Sequence, residues 1–210
     1  MDKETFLSFY EKAGYKVIDS FTYNDIKLFL IRNRPKTVYR IIYIALLLLL
    51  LFCVGFLIGR LWHEASSAGL FFEQIGQCAI FTLLGCAAII PIHEFVHWLA
   101  YKNEGAADVR FGAIWRSFAF YAAAHNFVAD YYAFRRIALA PFLILSGLLF
   151  LLLLFPLPLW ARIATLAILL FHLISCGGDL MMLSYMNRNK KRGVVTVDDV
   201  DNRWSYFMEK

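Results

Sequence analysis

The four cysteines of this 210-residue chain, Cys53, Cys78, Cys86 and Cys176, include no CxxC pair. Neither a disulfide framework nor a thiolate zinc site is therefore indicated, and the thiols, all inside apolar runs, read as small apolar side chains. The chain also lacks a basic stripe with interleaved aromatics. Its formal net charge of +5 comes from residues that flank apolar runs, so nucleic acid is not an expected partner. Charge is missing altogether from Ile41 to Ile58 and from Phe142 to Leu159, and such runs exclude a soluble globule. No cleavable leader is expected either. The first forty residues are polar and mixed in charge, and the run that begins after Arg40 is too long and uniform for a signal peptide.

What is abundant is apolar side chain: 60% of residues are hydrophobic, against roughly 45–50% in ordinary soluble domains. Four spans account for the excess, at about Ile41–Leu61, Gly69–Tyr101, Ile137–Phe155 and Leu159–Tyr185. The second is longer than the roughly 20 residues a crossing needs. Pro156 and Pro158 turn the chain between the last two. The expected architecture is an all-α membrane protein with four transmembrane helices. A small cytosolic segment over residues 1–40 precedes the membrane domain, 41–187, and a cytosolic tail, 188–210, follows it. Within the first segment, Glu4–Gly14 reads as an amphipathic helix and Lys16–Ile31 as a loosely alternating strand pair.

Lys and Arg placement sets the orientation. Arg32, Arg34, Lys36, Arg40, Lys102, Arg110, Arg116, Arg135, Arg136, Arg188, Lys190, Lys191 and Arg192 fall on one side, and only Arg60 and Arg162 on the other. Both termini are therefore expected in the cytosol, with the protein in the cell membrane and lipid as its surroundings. The loop on that side is unusually apolar, with Phe111, Ile114, Trp115, Phe118, Phe120, Tyr121, Phe127 and Val128. It could form a hairpin whose edge binds an extended substrate; interfacial anchoring by aromatics explains the same composition.

The chemistry-bearing motif is His93-Glu94-Phe95-Val96-His97, at the end of the second span. Residues four apart on a helix share a face, so His93 and His97 offer two positions to one zinc ion. Glu94 lies beside them, placed to act on a metal-bound water without ligating the metal. Zinc acidifies such a water, and a carboxylate there takes its proton and passes it to the leaving amine. The competing reading is chance, since an HExxH arises by accident in roughly one in a few hundred sequences of this length. Against chance, three ionisable residues sit on a strongly apolar run, where charge is costly and usually functional.

A third ligand is needed, and Asp179, His172, His125 and Glu104 are the candidates. His93 lies 24 residues after Gly69, about 36 Å along a helix. Asp179 lies 20 residues after Leu159, about 30 Å along a helix running the same way. Both reach the cytosolic ends of their spans. Gly177 and Gly178 would let the backbone before Asp179 approach a neighbour closely, and His172, Ser175 and Asp179 share one face. A solvated helix end or an Arg partner is the plain alternative for Asp179. His172, two turns deeper, reads as a hydrogen-bonded core or supporting residue, and His125 as a loop residue near the site or substrate. His63-Glu64 has no partner histidine and reads as an ordinary interfacial pair.

The HEFVH motif, the apolar loop, Ala138-Leu139-Ala140-Pro141 and Ser175-Cys176-Gly177-Gly178-Asp179-Leu180 together resemble a family of bacterial membrane zincin peptidases, over about Phe81 to Phe207. More remotely they resemble the site-two proteases. The latter resemblance implies that an Asp on a later span, here Asp179, is the third ligand. The site-two pattern has Asn and Pro before that Asp and Gly after it, where this chain has Gly177, Gly178 and Leu180. The expected function is therefore a zinc metallopeptidase acting on a membrane-associated peptide or protein at or near the cytosolic face. A zinc hydrolase of a non-peptide membrane substrate and a non-catalytic scaffold with a vestigial site are the other readings.

Overall fold

The computed structural model describes residues 2–115 and 119–210. Arg116 of the charge count and Phe118 of the apolar loop lie outside the described residues. Among the described residues the chain is mostly helical, and four helices there are long and apolar enough to cross a membrane: Val38–Glu64, Ala68–Asn103, Tyr131–Leu153 and Leu159–Arg192. The elements, in order, are α1 (Lys3–Lys12), β1 (Lys16–Thr22), α2 (Ile26–Arg32), α3 (Thr37–Glu64), α4 (Ala68–Asn103), β2 (Val109–Ile114), β3 (Ala119–Ala124), α5 (Tyr131–Leu153), α6 (Leu159–Ser175), α7 (Gly177–Asn189), β4 (Val195–Asp199) and β5 (Trp204–Glu209). The fourth apolar segment thus breaks at Cys176 into α6 and α7. The chain divides into two units, one of residues 1–35, 94–140 and 178–210, the other of residues 36–93 and 141–177.

The second unit is helical. Leu61, Cys78, Ile163 and Ala164 form its small core. The Tyr43 hydroxyl donates to the Leu173 carbonyl, tying α3 to α6. Gly85 on α4 faces Ile168 on α6 so closely that a Cβ there would lie 2.2 Å from the isoleucine's Cδ1. Close backbone approach through a small residue is how helices pack where lipid removes the hydrophobic drive between them. The outer residues of α3, including Ile41, Ile42, Leu48, Leu49 and Phe52, are exposed.

The first unit corrects the all-α expectation. β1, β5 and β4 form an antiparallel sheet in that order, and β2 pairs with β3 in a hairpin. β1 and β5 come from opposite ends of the chain, with Phe21 opposite Ser205 and Thr22 opposite Trp204. Lys16–Ile31 is one strand followed by α2, not a strand pair. The reason is the spacing of Ile26, Phe29 and Leu30, which is helical and sends all three to the core around Phe21, Tyr185, Met186 and Phe207. Asp2 caps α1 by accepting the Thr5 N–H at 2.7 Å. In the hairpin, Gly112 stands opposite Tyr121, whose ring occupies the space a Cβ would need.

Asp198 on β4 carries a pH dependence. Burial, reinforced by neighbouring Asp199 and opposed by the Ser205 hydroxyl, lifts its carboxyl from 3.8 to about 6. The fold therefore favours the protonated form. Asp198's contribution to stability is full below about pH 4 and is lost as pH rises through about 6. Asp198→Asn stays neutral throughout, so at pH 7 it is expected to stabilise the protein by about 3 kcal/mol. The gain should vanish near pH 4. Denaturant unfolding of both proteins at the two pH values checks this; an equal difference at both would refute it.

Candidate metal centre

Residues of the first unit supply the central contact. His97, 7% exposed, lies on the last turns of α4, and Asp179 on the first turn of α7. His97 Nε2 stands 3.4 Å from Asp179 Oδ2. A charge-assisted hydrogen bond is normally shorter, about 2.7–2.9 Å. Two donors bound to one tetrahedral zinc at about 2.0–2.1 Å would stand about 3.4 Å apart, and an ion pair between histidine and carboxylate spans the same distance.

The other face of the His97 ring explains how it is held. Its Nδ1 lies 3.1 Å from the Ile137 carbonyl on α5. A carbonyl only accepts, so Nδ1 carries a proton, and Nε2 is the nitrogen turned towards Asp179. The Ile137 carbonyl is open to this bond because residue 141 is proline, inside α5, and has no N–H to return to the carbonyl four residues back. Pro141 thus frees the acceptor that orients the His97 ring. Histidine ligands are typically oriented in this way, and losing the partner typically costs 10–100-fold in metal affinity. Pro141→Ala restores the competing N–H and is expected to weaken zinc binding by about that factor, 10–100-fold. A zinc titration of the purified variant checks it, and an unchanged affinity would exclude the role.

His93 lies one turn before His97 on α4, on the same face, and is 6% exposed. Glu94 follows it and is half-buried. Of the other residues singled out in the sequence, Glu104 is engaged elsewhere. Arg136 Nη2 donates to its Oε2 at 2.6 Å and holds the carboxyl below its usual range. His125 joins the hairpin to the sheet through a bridge with Asp198. Its Nδ1 accepts from the Val200 N–H at 3.2 Å, and its Nε2 lies 3.4 Å from Asp201. Among the described residues, the donor atoms grouped with His125 are those of Asp199 and Asp201. His172, in the second unit, is fully buried and donates from Nε2 to the Pro141 carbonyl at 3.2 Å.

A family model described as "Putative zincin peptidase" matches residues 86–194. The chain belongs to that family. No curated protein and no solved structure matches the chain. The stretch shared with the zincin peptidase family contains the HEFVH motif, Ile137, Pro141 and Asp179. Strands β1 and β5 lie outside it. Pro141 and the Ile137 carbonyl are not among the site candidates that the sequence offers. The signal was nevertheless present: a proline ten residues into an apolar helix frees the carbonyl four residues before it.

Proposed function

We propose that the protein is a membrane-embedded zinc metallopeptidase that hydrolyses peptide bonds of a membrane-associated substrate at or near the cytosolic face. His93, His97 and Asp179 hold the metal in this reading, and Glu94 is the general base. The observation that carries it is His97, buried and oriented by the Ile137 carbonyl so that its Nε2 faces Asp179 at 3.4 Å. Membership of the zincin peptidase family and four apolar helices of spanning length support it.

Zinc at this place supplies a Lewis acid and an acidified water. The chain's own residues do the rest. His93 and His97 bind as neutral imidazoles, and Asp179 contributes one negative charge that offsets part of the ion's. Glu94 accepts a proton at its carboxylate as water attacks the scissile carbonyl and returns it to the departing amine nitrogen. The neighbouring apolar side chains Val96 and Ile137, both buried, keep bulk water from the His97 ring and strengthen every charge interaction there.

The testing experiment measures zinc in the protein purified in detergent and its hydrolysis of single-span peptides. About one zinc per chain with cleavage is expected. Metal without cleavage of any peptide, but with turnover of a lipid-linked substrate, would transfer the site to non-peptide chemistry. Topology is checked separately. A reporter fused after Lys210 should be active only in a form that works in the cytosol, because the basic residues gather on that side. Activity of a form that works only outside the cell would reverse the orientation.

A further inference from the structure

A second group of donors lies in the helical unit. His172 and Cys176 are four residues apart at the end of α6, the same spacing that sets His93 beside His97. The His172 ring centre is 5.4 Å from that of His93. Cys176 Sγ stands 3.6 Å from His172 Nε2 and 4.0 Å from Nδ1. One donor atom from each of His93, His172 and Cys176 lies within 4.8 Å of the other two, and all three residues are buried. Neither His172 nor Cys176 has a part in the hydrolysis proposed above.

We propose that His93, His172 and Cys176 form a second metal site, and that its ion is Cu(I). The donor set is two imidazoles and one thiol, and thiolate with imidazole suits a soft ion. His172 is already in a ligating tautomer. Its Nε2–H donates to the Pro141 carbonyl, so Nδ1, 4.0 Å from the sulfur, is the nitrogen that would ligate. Charge selects the ion. On binding, the thiol proton leaves to solvent, a copper–sulfur bond forms and no redox state changes. One monovalent ion with one thiolate is neutral, whereas a divalent ion would leave a net positive charge in an apolar span, where uncompensated charge is expensive. His93 belongs to both donor sets, so Cu(I) here withdraws it from zinc and lowers hydrolysis. That last clause alone rests on the zinc reading.

The test is an anaerobic titration of the full-length protein with Cu(I) against a chromophoric Cu(I) chelator. Cys53, Cys78 and Cys86 are first replaced by alanine, so that Cys176 is the sole thiol. One Cu(I) per chain is expected. Cys176→Ala and His172→Leu should each weaken it by roughly a hundredfold or more, since each removes one of three ligands. The same pair of substitutions in the chain that keeps its other cysteines gives a second comparison. Zinc content without copper should be unchanged in Cys176→Ala, which also shows that the fold survives. A protein that holds no Cu(I), or holds it equally well after Cys176→Ala, overturns the site. Copper bound through Cys176 in a protein that takes no zinc would leave this site standing and remove the hydrolase reading.

Discussion

Glu94→Gln is expected to lower peptide hydrolysis by about 10²–10⁴-fold while leaving zinc content unchanged. The two effects separate because of where Glu94 sits on α4. His93 and His97 share a face, but Glu94 is one residue on from His93, about 100° further round the helix. From there a carboxylate reaches past the metal's ligands to the reacting water and not to the metal itself. Glutamine keeps the size and the half-buried packing of the side chain and removes only its ability to take a proton near neutral pH. Zinc measured by elemental analysis and turnover measured on the same preparation decide the matter. Loss of zinc together with activity, in a protein that still elutes as a single species, would make Glu94 a ligand and reverse its role.

The helices and the HEFVH motif were readable because both are local. Runs such as Ile41 to Ile58 admit few structures other than a long helix, and a pair of histidines four apart fixes its own geometry once the helix is granted. The sheet was not readable for the opposite reason. β1 and β5 stand at opposite ends of the chain, so no window of sequence contains their pairing. β4 hid itself further: Val195, Thr196, Val197 and Asp199 are all buried, and a strand covered on both faces shows no alternation. α2 was mistaken for a strand because seven residues are too few for a strong helical period. Cys176 and His172 read correctly as buried residues. Their approach to His93 depends on how α4 and α6 come together, and neither spacing nor composition encodes that. Pro141 stands between these cases. Its effect on the Ile137 carbonyl follows from sequence alone, but the arrival of His97 at that carbonyl does not.

Asp179→Ala is expected to weaken zinc binding by about a hundredfold or more. A structural zinc site with four protein ligands is worth about 10–16 kcal/mol, so one ligand carries roughly 3 kcal/mol, and a factor of ten is about 1.4 kcal/mol. The loss should be larger than for an exposed carboxylate, because the ring it faces is buried and its Nε2 is turned towards it. The geometry also predicts a rank. Asp179→Ala removes a donor, whereas Pro141→Ala only frees His97 to turn, so the first should cost more than the second. Their effects should fall short of additive, since once Asp179 is gone a well-oriented His97 has less to orient towards. Zinc affinities of the two single variants and the double variant, measured against a chelator of known strength, supply the comparison. If Asp179→Ala binds zinc as tightly as the parent while His97→Ala does not, the third ligand lies elsewhere and the 3.4 Å contact is only an ion pair.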